Sequence, residues 1–132
     1  VVTVEFLSDA WIARLDDAAR AADDLTADPG FRVATLVRGA DGERGHEVRF
    51  TAQGASVTAP SGDADVVLVT DPATAWALHR GTLRAQDAFA RGVLKVRGRP
   101  ELLAAHGELL VALERALAPV RGDTTPPEHL TS

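Results

Sequence analysis

The sequence predicts an α+β domain in which one sheet carries helices on a face, and three observations lead to it. Residues 31–70 form four short apolar or alternating segments, divided by turns rich in Gly, Pro and Asp. On either side, residues 9–22 and 72–119 space their apolar side chains by three and four, as a helix requires. Between the later helices, residues 93–97 return to a strand-like run. A chain of 132 residues suffices for one domain, and no repeat or linker divides it.

Ser8 or Asp9 is placed to cap a first helix, whose stripe is Trp11, Leu15, Ala18, Ala19 and Ala22. Phe6 and Leu7 are placed to staple its start, and Pro29-Gly30 ends the helical region. Residues 31–38, rich in Val, Leu and Thr, read as a strand, and Gly39, Gly42 and Gly45 mark a hairpin turn. Residues 46–52 then alternate, with Val48 and Phe50 on one side and Glu47, Arg49 and Thr51 on a wet side. Gln53-Gly54 turns into a third strand around Val57. After a turn at residues 60–63, Val66, Val67, Leu68 and Val69 follow without a break, as in a strand covered on both sides. Four consecutive strands with short turns predict a meander.

At Thr70-Asp71-Pro72 the pattern changes. Either of the first two residues can cap, and Pro72 suits the first helical position of a helix reaching His79, with Trp76 on its apolar side. Gly81 closes it. A second short helix is expected over residues 82–91, with Leu83 and Phe89 as its large apolar residues and Gly92 at its end. Residues 93–97 form a strand that Gly98 breaks. The longest helix is expected from Pro100 to about Pro119, with Leu102, Leu103, Leu109, Leu110, Leu113 and Leu117 along one face. The domain thus covers residues 1–121, and residues 122–132, with Thr124-Thr125-Pro126-Pro127, are expected to be a flexible tail.

Composition excludes several function classes. With no cysteine, a disulfide scaffold, a thiolate zinc site and a cysteine nucleophile are ruled out, and a reducing cytoplasm is the expected location. A net charge of −5 argues against non-specific nucleic-acid binding. No apolar run approaches the roughly 18 residues of a membrane span, and the first residues do not read as a signal peptide. Arginine outnumbers Lys95, the one lysine, which suggests a GC-rich bacterial gene. Arg80, Arg84, Arg91, Lys95, Arg97 and Arg99 face only Asp87 in their stretch. If they converge, they suit an anionic headgroup, a coenzyme A phosphate or transient contact with an anionic membrane surface; otherwise they solvate several faces.

Signatures of catalysis are missing. His46, His79, His106 and His129 lack metal-ligand spacing and read as surface or helix-end residues. No G-x-S-x-G occurs, and Asp16-Asp17 and Asp23-Asp24 read as solvated helix positions. Neither a catalytic nor a metal site is expected. The apolar residues that remain, Trp76, Leu83 and Phe89 among them, fit a filled core as well as a lined pocket, because periodicity does not separate the two.

One stretch carries a specific resemblance. Ala-Asp-Val-Val-Leu-Val-Thr-Asp-Pro-Ala-Thr-Ala-Trp76, followed by Gly81-Thr-Leu-Arg-Ala-Gln86-Asp-Ala-Phe89-Ala-Arg-Gly92-Val-Leu-Lys95-Val-Arg-Gly98, closely resembles the sterol carrier protein type 2 family. The match is specific over residues 64–98, and element order extends it over residues 8–119. At Arg99 many members of that family carry Asp. The resemblance implies a five-stranded, mostly antiparallel sheet covered by helices, with a hydrophobic tunnel between the sheet and the C-terminal helices. It implies binding, with possible transfer, of a sterol, fatty acid, fatty acyl-CoA or other hydrophobic ligand without a cofactor. By position, Trp76, Leu83, Gln86, Phe89, Leu94 and Val96 would lie at the pocket. Leu103, Leu110 and Leu113 would supply the last helix's wall, and Gln86 the polar contact. Two alternatives stand beside this reading: a biosynthetic enzyme or accessory using the same pocket for a specialised metabolite, and a ligand-free interaction module.

Overall fold

The computed structural model describes residues 3–40 and 42–126. Ser8 caps the first helix, α1 (Asp9–Ala21), its Oγ accepting the Trp11 backbone N–H at 3.1 Å. Just before it, Leu7 adopts a left-handed backbone (φ 68°) at a cost of about 1 kcal/mol. Phe6 and Leu7 are both buried at this turn. The sheet consists of β2 (Phe31–Gly39), β3 (Gly42–Thr51), β4 (Gly54–Thr58), β5 (Val66–Thr70) and β6 (Leu94–Gly98); a two-residue strand, β1 (Val4–Glu5), precedes α1.

Strand order is β4-β3-β2-β5-β6, so the sheet is mixed: β2 and β5 run parallel, and the other three pairings are antiparallel. The expected four-strand meander therefore holds only for β2 to β4. Residues 59–65 instead carry the chain back past β3, and β5 joins the opposite edge of β2. The Asp65 carboxylate helps fix this crossing by accepting the Arg32 backbone N–H at 2.9 Å. At its far end Gly98 (φ 87°) leaves β6, and a side chain there would collide with the Asp65 carbonyl.

The crossing also changes one sheet face. Glu47, expected on a wet face, is fully buried. Ser61 donates its hydroxyl to both carboxylate oxygens, at 2.8 and 3.0 Å, and its backbone N–H to one at 3.2 Å. A buried carboxylate needs such donors. Asp16 departs from the solvated reading in a similar way: its carboxylate accepts the Val57 N–H at 2.8 Å and joins α1 to the edge strand β4. It also pairs with Arg20 one turn on.

Asp71 caps α2 (Pro72–Arg80), accepting the Thr74 N–H and hydroxyl at 2.8 and 2.7 Å, and Gly81 closes it in a left-handed conformation. The next helix, α3, is shorter than expected (Ala85–Ala90). The long C-terminal helix is divided into α4 (Glu101–Ala105) and α5 (Gly107–Gly122). His106 breaks it, with a non-helical backbone and its ring stacked on Phe31 at 4.3 Å. The helix does not stop at Pro119, which sits inside α5 on an exposed side where the freed Arg115 carbonyl can meet water. Beyond it, β7 (Thr124–Thr125) pairs in parallel with β1, although the flexible tail was expected from residue 122. Residues 127–132 of that tail lie outside the described residues.

Register explains where the core ends. Phe50–Phe31 and the row Val57–Val48–Val33–Val66 lie on one face and are buried against α1, whose Trp11, Leu15 and Ala19 point at the sheet. Towards the other end of the same face come the smaller or more polar rows His46–Thr35–Leu68 and Val37–Thr70–Leu94. There the helices stand over a cavity.

Candidate functional site

The cavity has a volume of about 590 Å³. Its floor is Thr35, Val37, His46, Leu68 and Leu94 from four strands. Trp11 and Leu15 of α1, Ala75, Leu78 and His79 of α2, and Leu113, Leu117 and Arg121 of α5 form its walls, with Phe6 and Leu7 between them. Leu83, Arg84, Ala85 and Gln86, leading into α3, complete the lining. The lining is mainly apolar, and a volume of this size fits a small-molecule ligand.

The nine residues expected at the site separate into groups. Leu83, Gln86, Leu94 and Leu113 line the cavity. Val96, Leu103 and Leu110 pack against the buried core instead. Trp76 also packs there, its ring 5.2 Å from Phe6, and borders an adjacent cleft with Arg80 and Arg121. Phe89 is 58% exposed on α3. Gln86 is exposed, placing the expected polar contact at the rim.

Sequence reasoning missed the interior polar groups. His46 and His79 were read as surface or helix-end residues, yet both are half-buried and line the cavity. The signal was present in the alternation of β3, which puts His46 on the side of Val48 and Phe50. Trp11 stands between the two imidazoles, with ring centroids 5.1 Å from His46 and 5.4 Å from His79, while Phe6 stacks on His79 at 5.1 Å. Among the described residues, four buried side-chain atoms lack a protein hydrogen-bond partner: Trp11 Nε1, His46 Nδ1, His79 Nε2 and Arg121 Nε. All four residues line this cavity.

Electrostatics keep both histidines neutral near pH 7. Burial, followed by the neighbouring His79, lowers the His46 pKa to about 4. Burial, then the charges of Arg121 and Arg80, lowers His79 to about 4 as well. Among the lining residues Glu114 is the carboxylate, and Arg84 and Arg121 are the guanidinium groups. Among the described residues no group of three His, Cys, Asp or Glu is arranged to hold a metal ion. No helix among them is long and apolar enough to cross a membrane.

The basic stretch does not lie on one face. Leu94 and Val96 of β6 turn inward, so Lys95 and Arg97 point away from the cavity. Arg99 pairs with Glu101 at 3.4 Å, Arg80 lies over the Trp76 ring, and Arg84 is in the cavity lining.

Comparison with known proteins agrees with this architecture. The crystal structure of a sterol carrier protein 2 superposes with a TM-score of 0.60 at 22% identity, covering 89% of this chain and 98% of that one. Apo sterol carrier protein 2 from Yarrowia lipolytica gives 0.58 at 21%, covering 83% and 93%. The sterol carrier protein domain 2 of Helicoverpa armigera gives 0.57 at 24%, covering 87% and 91%. A search of curated protein sequences finds no match. The profile of the SCP-2 sterol transfer family matches residues 11–111, and the chain belongs to that family of lipid-binding domains.

Proposed function

We propose that this protein holds one hydrophobic or amphipathic small molecule, of the fatty-acid, acyl or sterol class, in the cavity between the sheet and helices α1, α2 and α5. The observation that carries the reading is the 590 Å³ space over the His46–Thr35–Leu68 row, walled by Leu15, Leu78, Leu113 and Leu117. Each methylene removed from water there contributes about 0.8 kcal/mol. An alkyl chain of about eight methylenes would supply roughly 6 kcal/mol before the cost of association. Native mass spectrometry of the purified protein tests the proposal: a bound lipid, or a one-to-one adduct with added fatty acid, is the expected result. A bare protein that forms no adduct would refute it.

Transfer between surfaces is a second part of the reading. Phe89 (58% exposed) and Val93 (37% exposed) flank Arg91 at the end of α3, close to the rim residues Arg84 and Gln86. Apolar anchors beside cations suit brief contact with an anionic bilayer, which would set the rim against the lipid.

A further inference from the structure

One part of the cavity wall has a polarity that an apolar carrier does not need. Trp11 Nε1–H and Arg121 Nε–H can only donate hydrogen bonds, and each neutral imidazole offers one further N–H. No carboxylate forms an ion pair with Arg121 among the described residues, and Glu114 is the one lining carboxylate. The guanidinium lies beside Gly81, 3.7 Å from where a side chain would begin, so the glycine closing α2 leaves it room. An unpaired buried polar atom is costly, and this cluster gathers four of them in one cavity.

Resting on the ligand-binding reading above, we infer that Trp11, His46, His79 and Arg121 form a donor-rich subsite for the carboxylate of an amphipathic acid, whose alkyl chain lies along the leucines. A carboxylate supplies two acceptor oxygens and one negative charge, matching two donor-only groups and one unpaired guanidinium. A phosphate monoester, close to dianionic, would need more cationic charge than the subsite holds. The subsite thus sets orientation and selects for the acid. The same burial that holds the imidazoles neutral makes their N–H groups available without a charge of their own. A bound carboxylate would draw both histidines back towards protonation.

Decanoic acid, 1-decanol and methyl decanoate, titrated calorimetrically into the protein at pH 7.5, separate the possibilities. The acid is expected to bind at least tenfold more tightly than the alcohol and the ester. Arg121→Met and His79→Phe, the latter preserving the stack on Phe6, should remove that preference, the acid losing at least tenfold more affinity than the alcohol and the ester. Far-UV circular dichroism and the melting temperature, both measured without ligand, show that the variants are folded. Histidine NMR should show the His79 titration moving up with decanoate and staying in place with decanol. Equal affinity for acid and ester, or equal losses for all three ligands in the variants, would overturn the carboxylate subsite and leave lipid binding intact. Failure of all three to bind would overturn both readings.

Discussion

At the scale of single residues, two polar side chains inside the fold make testable demands. His46 titrates near its ordinary pKa of 6.5 when unfolded but at about 4 when folded, so below pH 6.5 the unfolded state binds the extra proton. Its stabilising contribution is complete above pH 6.5, falls as pH drops towards 4, and is lost below that. The loss should reach about 3 kcal/mol, with a smaller part from the less buried His79. Urea unfolding at pH 7.5, 5.5 and 4.5 should follow this fall, and His46→Phe should flatten it. Glu47 makes the second demand. Ser61→Ala removes two of its hydrogen bonds while the carboxylate stays buried, and should destabilise the fold by about 1–3 kcal/mol. Ligand affinity should not change, because neither residue lines the cavity. The residue scale is also where the sequence was least informative. The alternation of β3 did mark His46 as inward-facing, but partners as distant in sequence as Asp16 and Val57 appear only on folding.

At the scale of elements, more could be read directly. Caps at Ser8 and Asp71, proline at the start of α2 and glycine at its end are local chemistry, and α1 and α2 begin where those caps lie. The failures involve long-range choices. Nothing local in Val66–Thr70 says whether it adds beside β4 or beside β2, since a continuous apolar strand suits either position. Leucine spacing likewise predicted one helix across His106, where stacking on Phe31 broke it. The exposed end of α3 yields a prediction of its own: Phe89→Asp should reduce binding to vesicles containing anionic phosphatidylglycerol at least fivefold. Affinity for a soluble fatty acid should hold, and neutral phosphatidylcholine vesicles should bind both forms weakly. Vesicle flotation would read the difference, and unchanged binding would remove α3 from the docking surface.

At the scale of the molecule, the same apolar pattern gives a packed core at one end of a sheet face and a cavity at the other. Large side chains in register, Phe31 with Phe50 and Val33 with Val48 and Val66, fill the space beneath α1. The rows with Thr35, His46 and Thr70 do not, and α2 and α5 bridge over them. Leu83, Leu94 and Leu113 were therefore legible as apolar, while their facing an open space depended on what stood opposite. The most direct test of the cavity as a ligand site is to fill it. Leu68→Trp with Ala75→Phe places bulk on the floor and the α2 wall. Displacement of a fluorescent fatty acid should show micromolar or tighter binding by the parent protein, at least tenfold weaker binding by the filled variant, and an unchanged or higher melting temperature. Equal binding by the two folded proteins would contradict the account.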